Sequence, residues 1–188
     1  YQQFIGGEWV DSASGATLDV ENPADGKVIA KVQASAAEDV DRAANAAAAA
    51  FETWQHTTPA ERSGMLLKLA DALEARGEEL GRIESKNAGK PVGAAIDEIP
   101  VVADNLRFFA GAGRVMEGKA VNEYAAGLTS MIRREPVGVV ASIAPWNYPI
   151  MMAGWKIGPA LAAGNTVILK PSIRTPLTAL VLAEIAAD

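Results

Sequence analysis

The first 35 residues alternate between apolar and polar positions in short runs that glycine-containing turns separate. The segments FIGGEWV and TLDVENPADGKVIAKVQAS carry a Gly-Gly and an Asp-Gly pair between the alternating residues. Such pairs favour the tight turns that join antiparallel strands. The pattern therefore predicts β-hairpins at the start of the chain.

A helical pattern follows Ser35. Ser35 is predicted to cap this helix, because Glu38 three positions later completes the pattern of a capping box. The segment after it is rich in alanine but keeps a helical spacing of its larger residues. The apolar face of this predicted helix consists of Val40, Ala44, Ala47 and Phe51.

Three more helices are predicted between residues 58 and 112. Thr58-Pro59 begins the first of them, because proline is favoured at the first helical position, and Gly77 is expected to end it. Its apolar stripe consists of Leu66, Leu69, Ala70 and Leu73. The next helix is predicted over 78–87, before AGKP, and the last over 92–112, where Pro100 is a candidate for a kink.

The period changes again near residue 130. Alternation predicts a strand over 130–136, and the wholly apolar run 138–144 is typical of a strand buried on both faces of a parallel sheet. Helical spacing from 149 to 163 ends at Gly164, NTVILKP predicts another buried strand, and TPLTALVLAEIAAD begins a helix with proline at its first position. Strand, helix, strand and helix in this order form a βαβ unit, so the fold class is α/β.

Composition narrows the possible partners. The 188 residues are 49% hydrophobic and 21% charged, and the formal net charge is -6. Without a basic cluster, nucleic acid and anionic membranes are not expected partners. Every long apolar run is interrupted by charged residues, glycine or proline, and the first ten residues lack the pattern of a signal peptide. We therefore expect a cytoplasmic protein.

Candidate chemistry lies where the strands of the βαβ unit end. The carboxyl ends of parallel strands meet at one edge of the sheet, where open α/β sheets bind ligands. The first strand ends at APWN (144–147) and the second at KPS (170–172), without a GxGxxG motif. Lys170 lies 23 positions after Asn147, close to the spacing at which dinucleotide-binding folds place a ribose contact.

Asn147 lies between two aromatic residues and two prolines. A neutral amide held by such a turn is suited to donate a hydrogen bond to a developing oxyanion, since a donor fixed in advance needs no reorganisation. The alternative is that Asn147 caps the helix that begins near Pro149, which is a common position for asparagine.

Segments along the whole chain resemble the NAD(P)-dependent aldehyde dehydrogenase superfamily. They are, in order, NPADGKVIAKV, ESKNAGKP, FFAGAGR, RREPVGVVASIAPWNYP, IMMAGWKIGPALAAGNTVILKPS and TPLTAL. DEIP, LRFFAGAGR and TSMIRREPVGVVASIAPWNYP together are most similar to the aminoaldehyde dehydrogenases that act on γ-aminobutyraldehyde, with betaine-aldehyde dehydrogenases as near neighbours. The resemblance implies the N-terminal portion of such an enzyme and an incomplete aldehyde dehydrogenase fold with a Rossmann-like sheet.

The resemblance also implies a division of the chain. Residues 1–129 correspond to the N-terminal helical part of the cofactor-binding domain, 130–137 to a strand of the oligomerisation arm, and 138–188 to the start of the dinucleotide-binding sheet. A full-length enzyme of this kind is expected to form a dimer or a tetramer.

Site residues follow from the same resemblance. Asn147 matches the amide that stabilises the oxygen of a thiohemiacetal, and it is the one catalytic residue expected in this chain. The expected cofactor contacts are Ile143, Ala144, Pro145, Trp146, Asn147, Lys170, Ser172 and Ile173. The expected aldehyde contacts are Glu98, Tyr148, Met151, Met152 and Trp155.

Each of these aldehyde contacts has an ordinary structural alternative. The residues 148, 151, 152 and 155 share one helical face, which is equally typical of a core stripe. Glu98 could anchor a substrate ammonium beside the aromatic faces of Tyr148 and Trp155, or could be a solvated acidic residue like its neighbour Asp97.

The segment after KPS departs from the family. A glutamate that accepts hydrogen bonds from the ribose hydroxyls is usual there, whereas this chain has Ile173 and Arg174. That carboxylate favours NAD because it binds the ribose hydroxyls and repels a 2′-phosphate, whereas Arg174 could attract this phosphate. The expected cofactor is therefore NAD, with NADP as an alternative. The alternative is that Arg174 is a solvated surface residue.

The chain has no cysteine, whereas the family attacks the aldehyde with a cysteine thiolate and releases the acid with a glutamate base. The leading hypothesis is therefore an aldehyde dehydrogenase of ω-aminoaldehydes such as 4-aminobutanal, of which these residues alone are inactive. The alternatives are a non-catalytic truncated fragment that binds nucleotide or partners, and an unrelated Rossmann-type binding module. No metal site is expected; Asn87 matches a monovalent-cation position where aspartate is usual, and His56 is expected in an exposed loop.

Overall fold

The computed structural model describes residues 1–188 and contains four two-stranded sheets and six helices. The strands are β1 (Gln3–Ile5), β2 (Glu8–Val10), β3 (Thr17–Glu21), β4 (Val28–Gln33), β5 (Lys119–Ala125), β6 (Leu128–Ile132), β7 (Val139–Ile143) and β8 (Thr166–Lys170). The helices are α1 (Ala37–Trp54), α2 (Pro59–Ala75), α3 (Gly77–Ala88), α4 (Val92–Ala112), α5 (Pro149–Ala162) and α6 (Leu177–Ala187). None of these helices has the length and apolar character needed to span a membrane.

The N-terminal hairpins are confirmed, but the predicted start of α1 is wrong by one residue. β1 pairs with β2 and β3 with β4, both antiparallel. The helix is preceded by Ala36, whose amide donates to the Asp39 carboxylate at 2.8 Å, while the Ser35 hydroxyl donates to Gln3 instead. Val40 is 58% exposed, so it is not part of the buried face of α1, contrary to the prediction.

Asp39 joins the first hairpin and the loop after it to α1. Its carboxylate accepts hydrogen bonds from the Gln3 amide at 2.7 Å, the Ser12 hydroxyl at 2.8 Å and the Ala13 backbone at 3.1 Å, besides that of Ala36. The Ala36 amide, followed by the Ser12, Ala13 and Gln3 donors, lowers the pKa of Asp39 to about 2. The ionised form of this side chain is therefore stabilised by folding.

Replacement of Asp39 by asparagine is expected to lower the melting temperature at neutral pH, because one acceptor oxygen of the four-donor site becomes a donor. The unfolded aspartate titrates near pH 3.9, about two units above the folded value. The stabilisation is thus complete above about pH 4 and is lost as the pH falls towards 2. Melting curves of both proteins between pH 7 and 2 should converge at the acid end; a constant difference would contradict this origin.

The second to fourth helices form the main core with α5 and α6. Thr58 and Glu61 form the capping box at the start of α2, and Leu66, Leu69, Ala70 and Leu73 form its inward stripe, as predicted. Gly77 does not end α2: that helix stops at Ala75, and Gly77 begins α3 after a single-residue break at Arg76. The bounds of α4 and the presence of Pro100 inside it are confirmed.

Two glycines allow helices to approach α4 closely. A Cβ atom at Gly81 of α3 would lie 2.7 Å from the Ile96 Cα atom and 2.8 Å from its nitrogen. A Cβ atom at Gly154 of α5 would lie 2.6 Å from the Val102 side chain. Both helices therefore pack against α4 at a distance that only glycine permits.

The βαβ unit is confirmed, since β7 and β8 pair in parallel and α5 connects them. The expectation that β7 is buried on both faces is wrong. Ile143 is 72% exposed and Val139 is also exposed, because only two strands of this sheet are present and part of its surface has no covering layer. α6 begins at Leu177, with Pro176 at the N-cap position rather than at the first helical position.

β5 and β6 form a separate antiparallel hairpin, of which only the second strand was predicted. β6 ends at Ile132 rather than at residue 136, and Arg133 and Glu135 lie in irregular chain that pairs with no strand. The hairpin carries several exposed apolar side chains, namely Tyr124, Leu128, Met131 and Ile132.

Candidate functional site

The carboxyl ends of β7 and β8 lie side by side. The register pairs Ile143 with Lys170, and the Ala144 amide donates to the Lys170 carbonyl at 3.0 Å. The turn at 144–148 and the loop at 170–176 therefore leave the sheet at the same edge. All the residues expected to contact a cofactor lie in these two segments, except Ile143, which is the last residue of β7.

Asn147 lies in a bend between β7 and α5, and its residue is exposed. The alternative in which it caps α5 is wrong, because Tyr148 occupies the N-cap position and no side chain there bonds to the helix end. The bend is attached to the next loop, since the buried Thr175 hydroxyl donates to the Trp146 carbonyl at 3.2 Å. The amide of Asn147 is thus held in an anchored turn and remains free to bind a ligand.

The start of α5 is satisfied by a buried carboxylate from α3. Glu84 is completely buried, accepts a hydrogen bond from the Ile150 amide at 3.3 Å and another from the Thr178 hydroxyl at 2.6 Å. Burial raises the pKa of Glu84, while the Thr178 hydroxyl, the Lys90 charge and the Ile150 amide act in the opposite direction. This residue was not among the predicted site residues.

Lys90 occupies the position beside Glu98 that we expected for a substrate cation. Its ammonium lies 2.6 Å from the Glu98 carboxylate, 3.6 Å from that of Glu84 and 4.6 Å from the centre of the Tyr148 ring. Both members of the Lys90–Glu98 pair are largely buried. Glu98 is therefore neither a solvated side chain nor a free anionic group.

The expected aldehyde contacts on α5 lie away from the core. Ile150, Ala153 and Gly154 form its buried face, whereas Tyr148 and Trp155 are exposed and Met151 and Met152 are half-buried. The core-stripe alternative is wrong for this face, although Met151 also contacts the edge of the core. An apolar and aromatic surface is thus available next to Asn147.

The end of β8 and the loop after it each present one cation to solvent. Lys170 and Arg174 are exposed, and neither takes part in any of the ion pairs of the protein. The Ser172 hydroxyl accepts from the Arg174 amide at 3.2 Å, and Ile173 is exposed. Unpaired cations beside a strand end suit the phosphate and ribose groups of a dinucleotide.

Both polar atoms of the Asn87 side chain bond to the backbone, whereas the sequence had matched this residue to a position that binds a monovalent cation. Its amide nitrogen donates to the Arg174 carbonyl at 2.9 Å, and its oxygen accepts from the Leu177 amide at 3.2 Å. No group of three candidate metal-ligating side chains exists in the protein. His56 lies in an exposed turn after α1, as predicted.

A sequence model described as "Aldehyde dehydrogenase family" matches residues 9–188, nearly the whole chain. The chain belongs to the aldehyde dehydrogenase family. Its resemblance to this family, proposed from the motifs, is thereby confirmed, and so is the expected fold, because solved members superpose on almost all of it.

Three relatives indicate the range of the family. A long-chain-aldehyde dehydrogenase of an Acinetobacter species is 43% identical over an alignment of 189 positions, which covers 100% of this chain and 37% of the relative. The structure of a betaine aldehyde dehydrogenase variant from Staphylococcus aureus in complex with NAD+ has a TM-score of 0.95 at 37% identity, covering 98% of this chain and 38% of that one. That of 3,6-anhydro-L-galactose dehydrogenase in complex with NADP has a TM-score of 0.96 at 34% identity, covering 99% and 39%.

The chain therefore spans less than two-fifths of the length of these aldehyde dehydrogenases. One of these solved relatives holds NAD+ and the other holds NADP. A nicotinamide cofactor is therefore common to these relatives, and both of its forms occur among them. In the present chain, the shared edge of β7 and β8 and the unpaired Lys170 fit such a cofactor.

Proposed function

We propose that this chain is the part of an NAD(P)-dependent aldehyde dehydrogenase that supplies the oxyanion donor and one edge of the dinucleotide site. The observation that supports the proposal is the uncommitted amide of Asn147, held in an anchored turn at the same sheet edge as the unpaired Lys170. The overall reaction would consume an aldehyde, water and the oxidised nicotinamide cofactor, and would yield a carboxylate, the reduced cofactor and two protons.

Asn147 contributes at the step in which charge develops on oxygen. When a thiolate adds to the aldehyde carbon, the carbonyl oxygen becomes an alkoxide, and an amide N–H that already points to this position stabilises it without reorganisation. The thiolate must come from polypeptide other than these residues, which contain no cysteine. The alternative function, a non-catalytic unit that binds nucleotide or partners, needs Lys170 and Ser172 but not the amide of Asn147.

The cofactor contacts are proposed for the residues at the sheet edge. Lys170 and Ser172 would hold the adenosine ribose, and Ile143, Ala144, Pro145 and Trp146 the nicotinamide side, with Ile173 beside the ribose. Because Arg174 is exposed and unpaired, it would attract a 2′-phosphate, which supports NADP use besides NAD.

The favoured substrates are ω-aminoaldehydes such as 4-aminobutanal. The structure does not support the part of the sequence argument that used Glu98 as an anchor for the substrate ammonium. Glu98 is already paired with Lys90, so it does not offer a free charge to a substrate ammonium. The remaining support is the exposed aromatic ring of Trp155, whose face attracts cations, since the Tyr148 ring already has the Lys90 ammonium 4.6 Å from its centre. Met151 and Met152 on the same face suit the aliphatic part of the aldehyde.

The decisive experiment measures NADH and NADPH formation by the full-length product of the gene that contains this sequence. Hexanal, 4-aminobutanal and betaine aldehyde are compared with each cofactor. Turnover of at least one aldehyde supports the family reaction, and a higher kcat/KM for 4-aminobutanal than for hexanal supports the narrower substrate class. Dinucleotide binding without turnover of any aldehyde would instead support the non-catalytic alternative.

We also propose that the full-length enzyme is a dimer or a tetramer joined through the hairpin of β5 and β6. The exposed Tyr124, Leu128 and Met131 of this hairpin would be covered in such an assembly. Sedimentation velocity of the full-length enzyme is expected to show an oligomer, and Met131→Glu is expected to weaken it. A monomer at micromolar concentration would exclude this proposal.

A further inference from the structure

Two helices that start at the candidate site lack side-chain caps of their own. The residues before α5 and α6 are Tyr148 and Pro176, and neither provides a side-chain acceptor for the first helical amides. The first amides of a helix have no partner within it and need an acceptor from elsewhere. In this protein α3 provides the acceptors for both helices.

Glu84 and Asn87 are these acceptors. The Glu84 carboxylate accepts from the Ile150 amide of α5 at 3.3 Å, and the Asn87 oxygen accepts from the Leu177 amide of α6 at 3.2 Å. The two residues are three positions apart on α3 and thus lie on one face of it. Both are buried, so water does not compete for the two amides.

Each of the two side chains also has a second contact that fixes its orientation. The other oxygen of Glu84 accepts from the Thr178 hydroxyl at 2.6 Å, and the Asn87 nitrogen donates to the Arg174 carbonyl at 2.9 Å. Asn87 thus holds both the start of α6 and, through Arg174, the end of the loop that carries Ser172.

Lys90 extends this arrangement to the residue before α5. α3 ends at Ala88, and the left-handed conformation of Gly89 after it (φ +76°) turns the chain. The Ser85 hydroxyl donates to the Lys90 carbonyl at 2.7 Å. The Lys90 ammonium then lies 3.6 Å from Glu84 and 4.6 Å from the centre of the Tyr148 ring. Residues on both sides of Pro149 are thereby contacted from one segment.

We propose that Glu84 and Asn87 are positioning residues for the two halves of the site. Glu84, with Lys90, fixes the orientation of the Asn147 side-chain amide. Asn87 fixes the position of the loop that presents Lys170 and Ser172 to the dinucleotide. This inference rests on the proposed function of Asn147 and Lys170 and extends it to residues that touch neither substrate nor cofactor.

Amide hydrogen exchange tests the geometry without requiring turnover. In the full-length protein, Glu84→Leu is expected to speed exchange of the Ile150 amide about tenfold or more, and Asn87→Ala that of the Leu177 amide. Glu78→Gln, an exposed residue of the same helix, is the control and should change neither. Unchanged exchange at Ile150 and Leu177 in their respective variants would overturn the proposal.

A double-mutant cycle tests the link of Glu84 to Asn147. Glu84→Leu is expected to lower kcat about 10- to 100-fold in the parent enzyme, since a small misplacement of a catalytic group has an effect of this size. In an Asn147→Ala background the same change should lower kcat by less than about twofold, because the group that Glu84 positions is already absent. An equal loss in both backgrounds, or none in the parent, overturns the role.

Further variants allow for a Glu84→Leu protein that does not fold. Thr178→Val removes the hydroxyl that holds Glu84 at nearly constant volume and should show the same non-additive loss of kcat. Glu84→Gln keeps an acceptor for Ile150 and should restore most of the activity lost in Glu84→Leu. Equal activity of the glutamine and leucine variants would overturn the proposal.

Nucleotide binding tests the link of Asn87 to the loop after β8. Asn87→Ala is expected to raise the Kd for the dinucleotide about tenfold and to lower kcat at saturating cofactor much less, since Glu84 still bonds to the Ile150 amide and only the Thr175 contact of the Asn147 turn comes from the loop that Asn87 holds. An unchanged Kd, or a loss confined to kcat, would overturn this role. If the parent enzyme oxidises no aldehyde, the proposed function fails, and hydrogen exchange and dinucleotide Kd still decide the positioning inference.

Discussion

An Asn147→Ala form of the full-length enzyme is expected to keep only about a hundredth to a thousandth of the parent kcat, a loss of about 3–4 kcal/mol of transition-state stabilisation. The side chain is exposed at the sheet edge and has no capping role, so its removal leaves α5 with the same start. The binding of aldehyde and dinucleotide should change much less, because the amide acts on charge that develops only during the reaction.

The measurement is kcat and KM for the best aldehyde, together with a melting curve. Asn45→Ala is a suitable control, since Asn45 is an exposed asparagine on α1 away from the sheet edge. Asn147→Asp keeps the size of the side chain but loses both N–H donors and should be at least as inactive as the alanine variant. A variant with parent kcat would remove Asn147 from the mechanism.

Gly81→Ala is expected to destabilise the protein by about 3 kcal/mol, at the upper end of the cost of overpacking. The new methyl group would lie within 3 Å of the Cα and nitrogen atoms of Ile96. Because these are backbone atoms, a change of rotamer cannot relieve the contact, and α3 would have to move away from α4. The same movement would displace Glu84 from the start of α5.

Gly64→Ala provides a control with the opposite sign. Gly64 is inside α2, and a Cβ atom there would meet nothing within 4 Å. Alanine in a helix interior is favoured over glycine by about 1 kcal/mol, so this variant should be slightly more stable than the parent. Chemical denaturation of both variants gives the comparison, and a Gly81→Ala protein as stable as the parent would show that α3 and α4 are less closely packed than described.

Local signals were sufficient for most of the fold. The Thr58–Glu61 capping box, the bounds of α4 and the apolar runs of β7 and β8 follow from residue type and spacing alone. The start of α1 was missed because Ser35 has the residue type of a cap but bonds to Gln3, which is distant in sequence. β5 was missed because its polar residues acquire strand geometry only by pairing with β6.

Most of the predicted residues of the candidate site face solvent, whereas Glu84, which the prediction missed, is buried. Asn147 and Lys170 lie at strand ends, and their placement follows from the topology of a parallel sheet. Glu84 follows Leu80 by four positions, so an acidic residue on the apolar face of α3 was a signal that could have been used. Its partners Ile150 and Thr178 are far away in sequence, and only the folded chain identifies them.

The contacts of α3 with α5 and α6 have a consequence for chimaeras between aldehyde dehydrogenases. A crossover placed in the hairpin of β5 and β6 would take α3 from one parent and the βαβ unit from the other. The α3 helix of one parent would then have to provide a carboxylate and an amide, at the positions of Glu84 and Asn87, for the starts of α5 and α6 from the other parent. Libraries that keep residues 84–90 and 144–178 from the same parent should therefore yield a larger fraction of active recombinants.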